Sequence, residues 1–213
     1  VPRAEPPSDP PPGLPNLPPE PSFVGRGGHK LNHALDAFGI DPSGLTCADL
    51  GCNVGGFTDC LLQRGAAKVY ALDTGYGTLA WKLRQDKKVI VMERTNALHT
   101  EPVEPVDLAV IDLGWTPQKH AVRAALRWIK TGGLIVSLVK PHYELEPEEK
   151  RLLVKGVLPE DDSTRVAERT RERMGEFGAE VRGWTRSPIA GGASKGRKGN
   201  IEFLALLTPT SRA

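Results

Sequence analysis

The sequence predicts a three-layer α/β fold built on a seven-stranded mixed sheet with one antiparallel strand, and three observations carry that expectation. Short apolar runs alternate with amphipathic stretches from Leu31 to Leu207. The first run, Leu45 to Leu50, breaks into a glycine-rich turn ending in Gly55-Gly56, and helical spacing follows from Phe57 to Gln63. Five successive runs are followed by Gly51, Asp73, Asn96, Asp112 and Lys140, on the edge where open α/β sheets bind ligands.

Taken in order, residues 1–22 read as a proline-rich disordered tail, with ten of the nineteen prolines in the first 21 positions and almost no apolar side chain to bury. Residues 23–213 are expected to form one folded domain. Its first helix, His29 to Phe38, places Leu31, Ala34, Leu35 and Phe38 on one face and stops at Gly39. Lys30 stands at the start of that helix, where the macrodipole disfavours a cation, so another group is expected to hold it. His29 and His33 share a face, but no third ligand or His-Glu-x-x-His pattern accompanies them, and no metal is expected.

The Leu45–Leu50 strand and its turn form a ligand cradle. Glycine at positions 51, 55 and 56 allows positive φ and close approach of the backbone, and amides at the helix start are expected to face outward. The second strand, Lys68 to Asp73, ends in an acid 22 residues after Gly51, placed to accept hydrogen bonds from ribose hydroxyls. The Gly-x-Gly-x-x-Gly spacing that seats a dinucleotide pyrophosphate is absent. Asp49-x-Gly51 followed by the looser glycine pair suits a nucleoside carrying a zwitterionic amino acid, as S-adenosylmethionine does.

Further along, Tyr76 to Gln85 reads as a short helix and Val89 to Met92 as the third strand. Asp107 to Ile111 is the fourth strand, Pro117 to Lys130 a helix, and Leu134 to Val139 a fifth strand apolar on both faces, as in the centre of a parallel sheet. Thr164 to Phe177 is a charged amphipathic helix. Glu180 to Thr185 and Ile201 to Leu207 complete the sheet, joined by a glycine- and lysine-rich loop, Ala190 to Asn200.

Composition excludes more than it selects. A net charge of +2 does not by itself indicate nucleic acid, although Arg182, Arg186, Lys195, Arg197 and Lys198 cluster near one end and Arg26 and Lys30 near the other. Cys47, Cys52 and Cys60 lack paired spacing and read as small buried thiols of a reducing compartment. No apolar run reaches the roughly 18–20 residues of a membrane span, and no secretion signal is present, so a cytoplasmic protein is expected. The chain opens on Val1 and not on methionine, which leaves room for an upstream segment.

Several stretches together carry a family resemblance. Gly25-Arg-Gly-Gly-His-Lys-Leu31, Asp49-Leu-Gly-Cys-Asn-Val-Gly-Gly-Phe57, Asp73-x-Gly-Tyr-Gly-x-Leu-Ala-Trp81, Glu93-Arg-Thr-Asn96, Val139-Lys-Pro141 and Gly199-Asn-Ile-Glu202 resemble the FtsJ-like RNA ribose methyltransferases, and within them the TlyA, or hemolysin A, branch. The resemblance implies a Rossmann-like S-adenosylmethionine-dependent methyltransferase fold and methyl transfer to a ribose 2′-hydroxyl of RNA, with ribosomal RNA as partner. The family's Lys-Asp-Lys-Glu catalytic set falls on Lys30, Asp112, Lys140 and Glu202. Gly51, Asn53, Gly55, Gly56, Phe57, Asp73, Asn96 and Asp112 are the cofactor-binding candidates. Two departures accompany the resemblance: a proline-rich tail stands where that branch carries an S4-like domain, and Asp112-Leu-Gly-Trp-Thr116 replaces the usual Asp-Leu-Ser-Phe.

The chemistry of such a transfer needs an oriented hydroxyl and a general base, and no metal. Lys140 is the base candidate and must be neutral to act, while Lys30, Asp112 and Glu202 set its surroundings. Two other readings keep the fold: a catalytically inert RNA-binding or hemolysin-like protein, and a methyltransferase for a non-RNA acceptor.

Overall fold

The computed structural model describes residues 22–192 and 198–210; the tail at 1–21 and the loop residues Lys195 and Arg197 lie outside the described residues. Seven strands form one sheet in the order β3-β2-β1-β4-β5-β7-β6. They are β1 Thr46–Leu50, β2 Lys68–Leu72, β3 Val89–Met92, β4 Val106–Ile111, β5 Ile129–Val139, β6 Ala179–Arg186 and β7 Phe203–Pro209. β1 to β5 pair in parallel, and β7 runs antiparallel between β5 and β6. The expected seven-stranded mixed sheet with one antiparallel strand is therefore present.

Strand alternation builds two cores, one on each face. Ala48 and Leu50 of β1, Ala109 and Ile111 of β4, and Ile135 and Val139 of β5 face Val122, Ala125 and Trp128 of helix α4 (Gln118–Trp128). Their neighbours Cys47, Leu108, Val110, Val136 and Leu138 face Leu31 and Leu35 of α1 (Gly27–Phe38) and Leu61 of α2 (Gly56–Gln63). Helices thus cover both faces, and the inner strands β1, β2 and β4 bury both of their sides, which is why they read as continuous apolar runs, while Ile90 of the edge strand β3 is exposed.

Three expected boundaries are corrected. Only Trp81–Arg84 of the stretch from Tyr76 is helical (α3), because Gly75 and Gly77, the latter at φ 73°, hold the preceding residues in turns. Helix α4 stops at Trp128, and β5 starts at once: Ile129 pairs with Val106, and Lys130 reaches the Asp107 carboxylate. The charged helix α5 spans Glu160–Glu172, four residues earlier than expected, with Glu160, Asp161 and Asp162 complementing its N-terminal dipole after Pro159. A 3₁₀ turn, Arg173–Phe177, completes that stretch before Gly178 in the left-handed region. Two further 3₁₀ turns, Pro141–Tyr143 and Pro147–Leu152, had no counterpart in the sequence reading.

Candidate active site

At the carboxyl edge of β1, β4 and β5 the described residues enclose a cleft of about 960 Å³. Lys30, Asp112, Lys140 and Glu202 all line it, together with Gly51, Asn53, Gly56 and Phe57. Four side chains separated by up to 172 positions in sequence therefore converge on one space.

They converge as two ion pairs. Lys30 Nζ donates to Glu202 Oε2 at 2.5 Å, and both residues are buried, so the cation disfavoured by its helix start is held by an acid from the far end of the chain. Burial pushes the Glu202 carboxyl up from its ordinary value, and the Lys30 ammonium opposes that. Lys140 Nζ lies 2.6 Å from Asp112 Oδ1 and also donates to the Leu113 carbonyl at 3.1 Å. Glycines make room for this packing. A Cβ at Gly27 would press on Phe57 at 3.3 Å, and one at Gly191 would fall 1.9 Å from Glu202 Oε1.

The glycine turn is tied down by its own backbone. Gly51 and Cys52 both donate their amides to the Leu72 carbonyl, and Asn53 donates to Asp73 Oδ2 at 2.8 Å, so these three amides, which precede the helix start at Gly56, build the turn. Asn53 itself sits at φ 47°. Gly51 passes so close to β4 that a Cβ would lie 2.6 Å from the Asp112 carbonyl oxygen. Gly55, at φ 98°, faces Leu83 and Leu79 of the neighbouring segment, which explains its lack of a side chain by packing. It does not line the cleft.

Asp73 accepts from Gly75 at Oδ1 (2.7 Å) as well as from Asn53, which ties the ends of β1 and β2 together. Each oxygen keeps a second lone pair. Asn96 is exposed, with its Oδ1 accepting from the Leu98 amide at 2.9 Å, and it stands apart from the cleft lining. His29 and His33, the other pair singled out by spacing, are accounted for by an edge contact with Phe23 and a contact to Thr185 Oγ1.

Sequence reasoning missed His142, Trp115 and Tyr143, and it named Asp49 without its burial. Asp49 is fully buried beneath the turn: Thr58 Oγ1 donates to its Oδ2 at 2.6 Å, and its Oδ1 has no partner. Burial pushes that carboxyl up to about 7, against the Thr58 hydrogen bond and with help from the Asp112 and Asp73 charges. His142, two residues past Lys140, lines the cleft, and burial followed by the Lys140 and Lys30 charges holds its imidazole down at about 4. Trp115 is 84 % exposed at φ 55° and packs against Tyr143, ring centroids 5.3 Å apart. The departure at Asp112-Leu-Gly-Trp-Thr116 was the one sequence signal for this aromatic wall.

The FtsJ-like methyltransferase family model matches residues 23–204. A Mycobacterium tuberculosis protein named 16S/23S rRNA (cytidine-2′-O)-methyltransferase TlyA is 40 % identical over 204 residues, covering 91 % of this chain and 72 % of that one. Hemolysin A of Brachyspira hyodysenteriae is 35 % identical, covering 86 % and 75 %. A hemolysin-named protein of Streptococcus thermophilus has a solved structure that matches with a TM-score of 0.82 at 37 % identity, over 90 % of this chain and 69 % of that one.

Proposed function

The chain belongs to the FtsJ-like methyltransferase family, and from that premise we propose that it transfers the methyl group of S-adenosylmethionine to the 2′-hydroxyl of a cytidine in ribosomal RNA, in the cytoplasm, with Lys140 as general base. The observation that carries the reading is the convergence of Lys30, Asp112, Lys140 and Glu202, as two ion pairs, on the cleft that the glycine turn opens onto. The cytidine is taken from the name of the Mycobacterium tuberculosis relative. The methyltransferase domain is taken as residues 23–213.

The residues present fit that cofactor. Asp73 keeps free lone pairs beside the turn and would accept from ribose hydroxyls, and Gly51, Asn53, Gly56 and Phe57 would stand against the rest of the molecule. When bound, S-adenosylmethionine supplies an electrophilic methyl group on a sulfonium. The chain's own residues have two tasks: to orient the ribose hydroxyl and to remove its proton.

Lys140 is built for the second. A neutral amine has two N–H groups, and two acceptors, Asp112 Oδ1 and the Leu113 carbonyl, already face its Nζ. Satisfying both leaves the nitrogen lone pair to accept the hydroxyl proton. The Lys30–Glu202 pair, more deeply buried, would orient the ribose, and each ion of that pair has its counterion within the cleft. At the mouth, the Trp115–Tyr143 pair offers an apolar face of the kind on which unpaired bases stack.

Tritium transfer from labelled cofactor to total ribosomal RNA of a modification-deficient strain tests the reading. Label in ribosomal RNA, recovered as 2′-O-methylcytidine after nuclease digestion, is the expected result. Label confined to protein or small molecules would change the acceptor. Cofactor binding with no label in any acceptor would favour the inert protein that the hemolysin-named relatives bring to mind.

A further inference from the structure

We infer that His142 is a specificity-determining residue whose Nε2–H donates a hydrogen bond to an acceptor atom on the base of the nucleotide being methylated. The inference rests on the RNA reading above and deepens it.

The geometry of the ring carries the argument. His142 lines the same cleft as the two ion pairs and lies in the 3₁₀ turn Pro141–Tyr143 that follows Lys140. Its Nδ1 is enclosed by protein and has no hydrogen-bond partner, whereas Nε2 is not among the enclosed unpartnered atoms. One ring nitrogen of a neutral imidazole carries the proton and the other a lone pair. A buried N–H with no acceptor is a rarer and costlier arrangement than a buried lone pair, so the proton belongs on Nε2. The ring is neutral for a physical reason: burial, and after it the charges of Lys140 and Lys30, hold it down at about 4. His142 therefore presents an uncharged donor in the cleft where the two catalytic lysines are already paired with acids.

Its neighbours say what such a donor meets. The His142 ring packs on Tyr143 with centroids 4.1 Å apart and ring planes tilted by 52°, and Tyr143 in turn packs on the exposed Trp115. A base stacked on the Trp115–Tyr143 pair would turn its edge toward the imidazole tilted beside it. Cytosine offers O2 and N3 as acceptors, and a donor there rejects bases that present an N–H at the same place, because two facing donors leave both unsatisfied. A phosphate would be served better by a free cation than by a neutral imidazole.

The test uses the full chain as wild type, His142→Phe and His142→Gln, each assayed for tritium transfer to unmodified ribosomal RNA, for the nucleoside that carries the label, and for S-adenosylmethionine affinity by calorimetry. Phenylalanine keeps a ring against Tyr143 and removes the donor; glutamine restores an N–H at similar reach. The expected result is a fall in kcat/KM of about tenfold or more for His142→Phe, with label spreading beyond one nucleoside, and recovery to within a few-fold for His142→Gln. Cofactor affinity should be unchanged in both. Wild-type rate and selectivity in His142→Phe would overturn the inference, as would equal losses in the two variants or a parallel fall in cofactor affinity, which would make the ring a packing element. A wild type that labels no ribosomal RNA overturns the RNA reading together with this one; an active wild type matched by His142→Phe overturns this one alone.

Discussion

The two halves of the carboxyl edge are built from different materials. Below β1 and β2 the site is backbone: a turn of glycines and a positive-φ asparagine, tied by amides to the Leu72 carbonyl and the Asp73 carboxylate. Beyond β4 and β5 it is side chain: two lysines and two acids carried by α1, the ends of β4 and β5, and the entry to β7. Backbone is suited to shape and to a cofactor that must return to one place at every turnover. Paired side chains supply the proton chemistry and can hold charge in a cleft only because each ion has its counterion.

That contrast predicts where damage will register. The largest effect belongs to the side-chain half. Lys140→Arg keeps the positive charge facing Asp112 but cannot accept a proton at any working pH, so single-turnover methylation should fall by roughly 10²–10⁴-fold. Cofactor affinity should stay within a few-fold, because a base acts in the transition state. Near-wild-type turnover by this variant would reduce Lys140 to a positioning charge and leave the two halves less different than proposed.

A smaller and opposite pattern is expected in the backbone half. Asp73→Ala removes the acceptor for Asn53 and Gly75 as well as for the cofactor ribose. S-adenosylmethionine binding should weaken by about 1–3 kcal/mol, the range for losing a charged hydrogen-bond partner. The rate at saturating cofactor should change far less. Calorimetry and single-turnover kinetics on the same preparation separate the two, and a loss confined to rate would erase the division of labour.

The halves also differ in how well the sequence disclosed them. Strand ends were legible because an apolar run that stops in Gly51, Asp73, Asp112 or Lys140 has only one edge to point to in a parallel sheet. The four charged residues were named by family resemblance, but the pairing of Lys30 with Glu202 was not: they are 172 positions apart, and nothing local links them. The space beside Gly55 is filled by Leu79 and Leu83, a long-range packing fact that glycine spacing does not encode. Asn96 follows β3 as expected and turns its amide oxygen to its own loop. His142 was overlooked, and Asp49 was read as part of the cradle without its burial, because a lone histidine after Lys-Pro or an acid before a glycine turn looks the same in sequence whether enclosed or wet.

Asp49 supplies the smallest and most selective prediction, since it underlies the backbone half without belonging to the cleft lining. Its carboxyl is pushed up to about 7 by burial, from an ordinary 3.8, so between about pH 4 and 7 the folded protein holds a proton that the unfolded chain has released. The folded state then binds more protons than the unfolded one, and stability falls as pH rises through that window. Asp49→Asn can keep an acceptor for the Thr58 hydroxyl while removing the titration. In the absence of cofactor, the variant should gain on the wild type by roughly 1–2 kcal/mol from pH 4 to pH 7 and hold a constant lead above pH 7, less than full linkage would give because relaxation around the ionised form offsets part of its cost. Urea unfolding of both proteins across that range measures the difference directly. A gap that stays flat, or that narrows as pH rises, would mean that Asp49 is ionised in the folded protein at low pH and that the turn is held by a charge after all.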